Sequence, residues 1–279
     1  MYDYEKAGKG ISKDAPKKKA FFDFFEMYFR YFSRLVRLNI MTFIFCIPVV
    51  TIGPALAGMT KVLRNYALDK NAFMFHEFWK GFSENWKKSL PVGLLDTLFA
   101  VSAVTALQVY PAMGAEAEAA GGSGIVYTIF CVLSVSFALT LFMMNFYIMP
   151  MIVATDLSFK NVIRNSFFLT CVGLKKNIIT LIVAALVFVI ILISDLWGLL
   201  LIPLWAISFV GFVIMYNSYP QIQKYVINPY YEEKGMDNPE YDYLKPLSAD
   251  ESVFLDRGAE ETPDGSQKSK KKKKGKIIS

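Results

Sequence analysis

Ile47-Pro48-Val49-Val50-Thr51-Ile52-Gly53-Pro54-Ala55-Leu56-Ala57-Gly58 closes the first strongly apolar run of the chain, and its reading decides the topology. From Leu35 to Thr51 the residues are apolar enough to enter a bilayer, whose core of about 30 Å takes about 20 helical residues. Pro48 has no backbone N–H and weakens the helix near its end. Gly53-Pro54 offers a turn with proline at the first position of a new helix, where the missing donor costs nothing. From Ala55 the pattern is helical again, with Leu56, Met59, Val62, Leu63 and Tyr66 apolar and Lys61, Arg64 and Lys70 charged. Thr51, Gly53 and Pro54 are therefore expected to form a helix–turn motif.

Two topologies fit this stretch. In one, residues 35–59 cross the membrane once. In the other, the chain reverses at Thr51 to Pro54, and a second helix of about 16 residues returns it to the starting side. Charge decides, because Lys and Arg in short loops are biased to the cytoplasm. Residues 1–37 carry nine basic side chains, and 60–90 carry Lys61, Arg64, Lys70, Lys80, Lys87 and Lys88. A single crossing puts one of these groups outside, whereas a hairpin keeps both inside. The hairpin obliges Lys61 and Arg64 to snorkel or to face protein.

Composition agrees with a membrane class: 279 residues, 54% hydrophobic, 15% aromatic and a mean hydropathy of +0.36. In a soluble chain a net charge of +6 would point to nucleic acid. Here the basic residues flank apolar runs, so orientation and anionic lipid head groups account for them and no nucleic-acid partner is expected. Cys46, Cys131 and Cys171 stand apart from one another, which indicates neither a zinc site nor a disulfide framework.

Residues 1–20 read as a disordered cytoplasmic tail rather than a signal peptide. Phe21 to Arg34 sets Asp23, Glu26, Arg30 and Arg34 against a phenylalanine-rich face, an amphipathic helix of interfacial type. Residues 71–89 repeat the theme with Trp79, Trp86 and flanking lysines, and deliver the chain to a span from Leu90 to Tyr110 that closes at Pro111. Gly114 to Gly124 is expected to be an outer loop, and Ile125 to Met149 a return span ending at Pro150. Residues 156–177 lead into the last two spans, 178–194 and 196–216, joined around Asp195. The four inner segments then hold nine, six, four and eleven basic residues, all 30 in the chain. Residues 228–279 read as a second disordered cytoplasmic tail with a Lys-rich end, Lys270 to Lys274, and a small apolar island at Val253 to Gly258. The expected fold is all-α: a polytopic bundle of six membrane helices over residues 21–227, including the early hairpin, with interfacial helices and both termini cytoplasmic.

Leu38-Asn39, then Pro48 to Ala55, then Phe78-Trp79-x-x-Phe82-x-x-Asn85-Trp86-Lys87 resembles the YesL family of bacterial integral membrane proteins, a domain of unknown function (624). The likeness spans roughly residues 21–225 and is sharpest over 38–90. It implies a multi-pass plasma-membrane protein and, because such proteins are often encoded near carbohydrate ABC transporters, a carbohydrate uptake or sensing system as the partner. It assigns no ligand or catalytic residue.

The residues themselves give no enzyme signature. The single histidine, His76, adjoins Glu77, and neighbours on a helix do not face each other. No phosphate-cradling glycine loop or metal-ligand spacing occurs, so no cofactor or metal is expected. Ionisable residues inside a span are functional candidates, and Asp96 lies about 9 Å into its span. Asn145 sits near the inner end of the next span, and Lys61 and Arg64 at similar depth. These four form the candidate polar membrane site, with Asp96 offsetting one cation. Two readings are open: a non-enzymatic accessory or scaffold of a membrane complex, and a small transporter or channel using that site. The small residues Gly53, Ala57 and Gly58 on the return helix, and Ala100, Ala103 and Ala106 on the next span, allow close helix approach, for internal packing or for a partner's transmembrane helix.

Overall fold

The computed structural model describes residues 20–70 and 72–240. Asn71, residues 1–19 and residues 241–279, with the apolar island and the lysine run, lie outside them. The described residues are all-helical. The first three helices are α1 (Ala20–Cys46), α2 (Ile52–Ala67) and α3 (Met74–Ala119), followed by α4 (Ile125–Ala154), α5 (Phe159–Val172) and α6 (Leu174–Ile193). The last stretch comprises α7 (Asp195–Leu201), α8 (Ile207–Ile222) and α9 (Asn228–Glu233), joined by π-helical turns at Ile202–Ala206 and Gln223–Ile227.

Among the described residues four helices are long and apolar enough to cross a membrane: α3, α4, α6 and the continuous Asp195–Glu233 helix. Their outer surfaces carry exposed apolar side chains such as Leu98, Val101, Val104, Ile129, Val132, Leu133, Leu186 and Phe188. A soluble chain rarely exposes patches of that extent. The α1 and α2 helices fall outside this set of four.

Several boundaries differ from expectation. Residues 21–34 do not form a separate interfacial helix but are the first half of α1. Phe24, Tyr28, Tyr31, Leu35, Leu38 and Thr42 recur every three or four residues and are buried. That stripe packs on Phe209, Phe212 and Tyr216 of α8, as expected for a core-facing helical face. Phe21, Phe22 and Phe29 point outward on the other side. Residues 74–89 likewise continue without a break into the span to form the 46-residue α3. The helix absorbs Pro91 and Pro111 and runs on to Ala119, so the loop before α4 is much shorter than Gly114 to Gly124. Pro150 also lies inside α4. Packed neighbours and side-chain hydroxyls compensate prolines within membrane helices, so a proline there need not end one.

The break after α1 falls at Ile47–Thr51, with Pro54 in the first turn of α2 rather than at its first position. The Thr51 hydroxyl closes the break, lying 2.6 Å from the Phe45 carbonyl and 2.8 Å from that of Pro48. Beyond it α2 runs beside α1, with Tyr66 stacked on Tyr31 at 4.5 Å and Asp69 accepting hydrogen bonds from Arg30 and Tyr31. The α2 helix touches α1, α3, α4 and α8, and most of its residues are buried, which makes it the centre of the bundle.

Glycines set the α2–α3 contact. A Cβ on Gly53 would lie 2.0 Å from the Ser89 carbonyl oxygen, and one on Gly93 would lie 2.4 Å from the Gly53 nitrogen. Gly81 meets Ala57 and Gly58 in the same way. The small residues of α2 therefore pack inside the protein, against Gly81, Ser89 and Gly93.

The reversal around Asp195 forms as expected. Asp195 takes a left-handed φ of 45°, a conformation that the short polar Asp side chain tolerates better than most. At the other end, residues 228–240 pack on the bundle, with Tyr231, Asn238 and Glu240 buried, so the ordered domain extends past Ile227.

Candidate membrane-embedded polar site

Of the four polar residues singled out in the spans, the structure brings two together. Asn145 on α4 donates through Nδ2 to Asp96 Oδ1 on α3 at 2.7 Å, and secondarily to the Leu141 carbonyl at 3.3 Å. The pair sits in the wall of a cavity of about 580 Å³ between α2, α3, α4 and α8, whose other walls are almost entirely apolar. Asn145 Oδ1 is buried with no hydrogen-bond partner among the described residues.

Lys61 and Arg64 find carboxylates elsewhere, so Asp96 offsets neither. Lys61 Nζ lies 2.9 Å from Glu84 on α3, its side chain 13% exposed against 43% for Glu84. Arg64, one turn further along α2, reaches α8 and the segment after α9. Its Nε donates to the Tyr219 hydroxyl at 2.7 Å and to Glu240 Oε1 at 3.1 Å, and its Nη2 pairs with the same oxygen. The Tyr219 hydroxyl lies 2.6 and 2.7 Å from the two Glu240 oxygens, and Gln223 Nε2 donates to Oε2 at 3.0 Å. Asn238 fixes the approach by accepting from the Glu240 N–H at 2.9 Å and donating to Asn228 at 2.9 Å.

Glu240 is a buried carboxylate, its side chain only 2% exposed. Burial raises its pKa, but the Arg64 charge and the hydrogen bonds from Tyr219, Arg64 and Gln223 outweigh that and hold it below the ordinary glutamate value. The Arg64 guanidinium, the Tyr219 hydroxyl and the Gln223 amide together surround both Glu240 oxygens.

The remaining motif residues fall in two places, Asn39 against the π-turn before α8 and Phe78 to Asn85 on α3 beside the end of α1 and α2. Asn39 is fully buried, donates to the Ile202 carbonyl at 2.7 Å and accepts from the Ser208 N–H at 2.6 Å. It thereby pairs two backbone groups on either side of the π-turn, where the ordinary helical ladder is interrupted. Phe78, Trp79 and Phe82 cluster on Phe45 near the end of α1. Asn85 is buried and donates to the Gly81 carbonyl at 2.8 Å. His76 is exposed at the start of α3.

Sequence reasoning missed Glu84, Tyr219, Gln223, Glu240, Gly81 and Gly93. The glycines at 81 and 93 carried a usable signal, since with Ser89 they mark one face of a helix at multiples of four residues. Glu240 carried none, standing in a polar segment 176 residues from Arg64.

Described residues that are all-helical, with long helices exposing apolar side chains along their length, define an integral membrane protein. Within that class, residues 35–107 match the model of a family described as protein of unknown function, DUF624, which agrees with the likeness to YesL-type proteins. The matched stretch runs from the middle of α1 through α2 into the second half of α3, and so contains the whole glycine-lined corner. Comparison with curated proteins and with solved structures gives no match.

Proposed function

We propose that the protein is a non-enzymatic accessory or scaffold component of a bacterial plasma-membrane complex, with carbohydrate uptake or sensing as its setting. It spans the membrane six times, with α1 and α2 as a hairpin and both termini in the cytoplasm. The observation that carries this reading is the closure of the α2 cations. Lys61 and Arg64 are neutralised by Glu84 and Glu240, which leaves no charged α2 group directed at a solute. The sugar setting rests on the family likeness alone. The orientation rests on the placement of all 30 basic residues, and Lys88 supports it by donating to the Leu157 carbonyl at 2.8 Å, drawing two basic segments to one side. Lipids are the constant partner, with anionic head groups at the basic face; ABC-transporter subunits are the protein partners to look for.

Cross-linking in native membranes with identification of the captured chains tests the proposal. Recovery of uptake or sensor subunits supports it, and a chain recovered only with itself removes it. A second reading, a small transporter or channel, is favoured by one observation: Asp96 and Asn145 face an internal cavity. Solute flux in liposomes holding this chain alone would establish that reading instead.

A further inference from the structure

The cavity beside Asp96 has a chemistry that the accessory reading does not use. Its walls are apolar side chains, among them Met59, Leu63, Phe99, Phe142 and Ile214, and its polar corner is the Asp96–Asn145 pair. Among the described residues no cation lines it, since Lys61 and Arg64 are engaged elsewhere. The corner is anionic: the Asp96 carboxylate receives one hydrogen, from Asn145 Nδ2, and no second side-chain donor to it occurs among the described residues. A carboxylate in an apolar wall needs a proton or a cation to offset its lost hydration.

A second cavity of about 520 Å³ between α6 and α8 adjoins the first. Leu56, Met59, Phe142, Gly211 and Ile214 line both, so the two lie side by side in one apolar crevice between the helices, and Asp96 lines the first alone. Each volume falls in the range of small-molecule sites.

We infer that this crevice binds a single-chain amphiphile carrying a cationic amino head. The ammonium group pairs with Asp96, and the hydrocarbon tail lies along Met59 and Phe142. Charge complementarity selects the head, because a carboxylate-headed amphiphile would bring a second anion to an anionic corner. An alcohol would supply one donor and no charge.

The test uses the full chain in maltoside micelles, with dodecylamine as probe and dodecanol and dodecanoate as comparators, read as displacement of a bound fluorescent alkylamine. Dodecylamine should displace it, with dodecanol and dodecanoate at least about tenfold weaker, as expected when a charge-assisted hydrogen bond is lost. Asp96→Asn, close in shape, should weaken dodecylamine by a similar factor and leave dodecanol unchanged. Ala103→Phe, which fills the first cavity, should block both probes in a protein that still elutes as a single species. Equal displacement by all three amphiphiles marks the crevice as a place for ordinary lipid tails and overturns the inference. Unchanged dodecylamine binding in Asp96→Asn overturns it too, as does no binding of the amine at all.

Discussion

Replacing Gly53 with alanine puts the α2–α3 corner under a direct test. The new methyl would stand 2.0 Å from the Ser89 carbonyl oxygen and 2.7 Å from its carbon, both backbone atoms that cannot rotate away. Restoring ordinary contact requires the helices to part by more than about 1 Å, and dispersion falls steeply over such a gap. The opening also loosens Gly81 against Ala57 and Gly58, which belong to the same seam. Helix propensity acts the other way, since glycine to alanine inside a helix gains about 1 kcal/mol. Overpacking a close-packed core typically costs about 1–3 kcal/mol, and a backbone clash this close belongs at or beyond the upper end. A net loss of about 2 kcal/mol is expected, or roughly 4–8 °C in the apparent Tm at this chain length. Thermal unfolding of the purified protein in dodecyl maltoside, monitored by tryptophan fluorescence, measures it. Gly93→Ala should behave alike, and the double variant should lose less than the sum, because one separation relieves both clashes. An alanine variant as stable as the parent, or more stable, refutes the close-contact account of this corner.

Glu240→Gln keeps the shape of the side chain but leaves the Arg64 cation in a site where it is only 13% exposed, with a cost of about 3 kcal/mol. The pH dependence comes from the lowered native pKa of Glu240. Its contribution is complete above the ordinary glutamate value of 4.5 and is lost as pH falls through the native value below that. The wild type should therefore lose stability on acidification where Glu240→Gln does not, and parallel acid limbs in the two unfolding profiles would contradict the pairing. Asn39→Ala leaves the Ile202 carbonyl and the Ser208 N–H buried and unpaired, at about 1–3 kcal/mol each. A wild-type melting temperature for that variant would show that the π-turn needs no side-chain support. A cysteine at position 75 should resist impermeant maleimide in intact cells and react after permeabilisation. Labelling from outside would reverse the proposed orientation.

The apolar runs, the break after Cys46 and the reversal at Asp195 were legible in the sequence because each rests on local chemistry: hydropathy, proline and a short polar joint. Helix ends were less legible. Phe21 to Arg34 and residues 74–89 differ from the spans in polarity but not in periodicity; no glycine or proline divides the first from the apolar run after it, and Pro91 at the start of the second run stays inside the helix, so each fuses with its neighbour. Pro91, Pro111 and Pro150 resemble stops only by the standard of water, where an unpaired carbonyl is cheap to solvate and a helix easily ends. In the site, hydropathy located Asp96 and Asn145 at matching depth, and they meet. Depth does not encode azimuth or distant partners. The pairing of Lys61 with Glu84 and of Arg64 with Glu240 depends on how α3 and the post-α9 segment wrap α2, which no local pattern records.

The unbroken length of α3 has a mechanical consequence. Its 46 residues extend about 69 Å, more than twice the hydrocarbon thickness. The stretch from Gly81 to Gly93 is gripped by α2, while the far stretch rests on α4 through Tyr110 against Phe130. Beyond the Gly53–Gly93 touch point, α3 therefore extends as one arm with α4 packed along it. A swing of about 5° there carries the Ala119 tip through roughly 3 Å. Asp96 lies three residues beyond the touch point, where the same swing hardly displaces it. Whatever grips the distal tip can therefore move the arm and α4 together while the acidic corner stays in place.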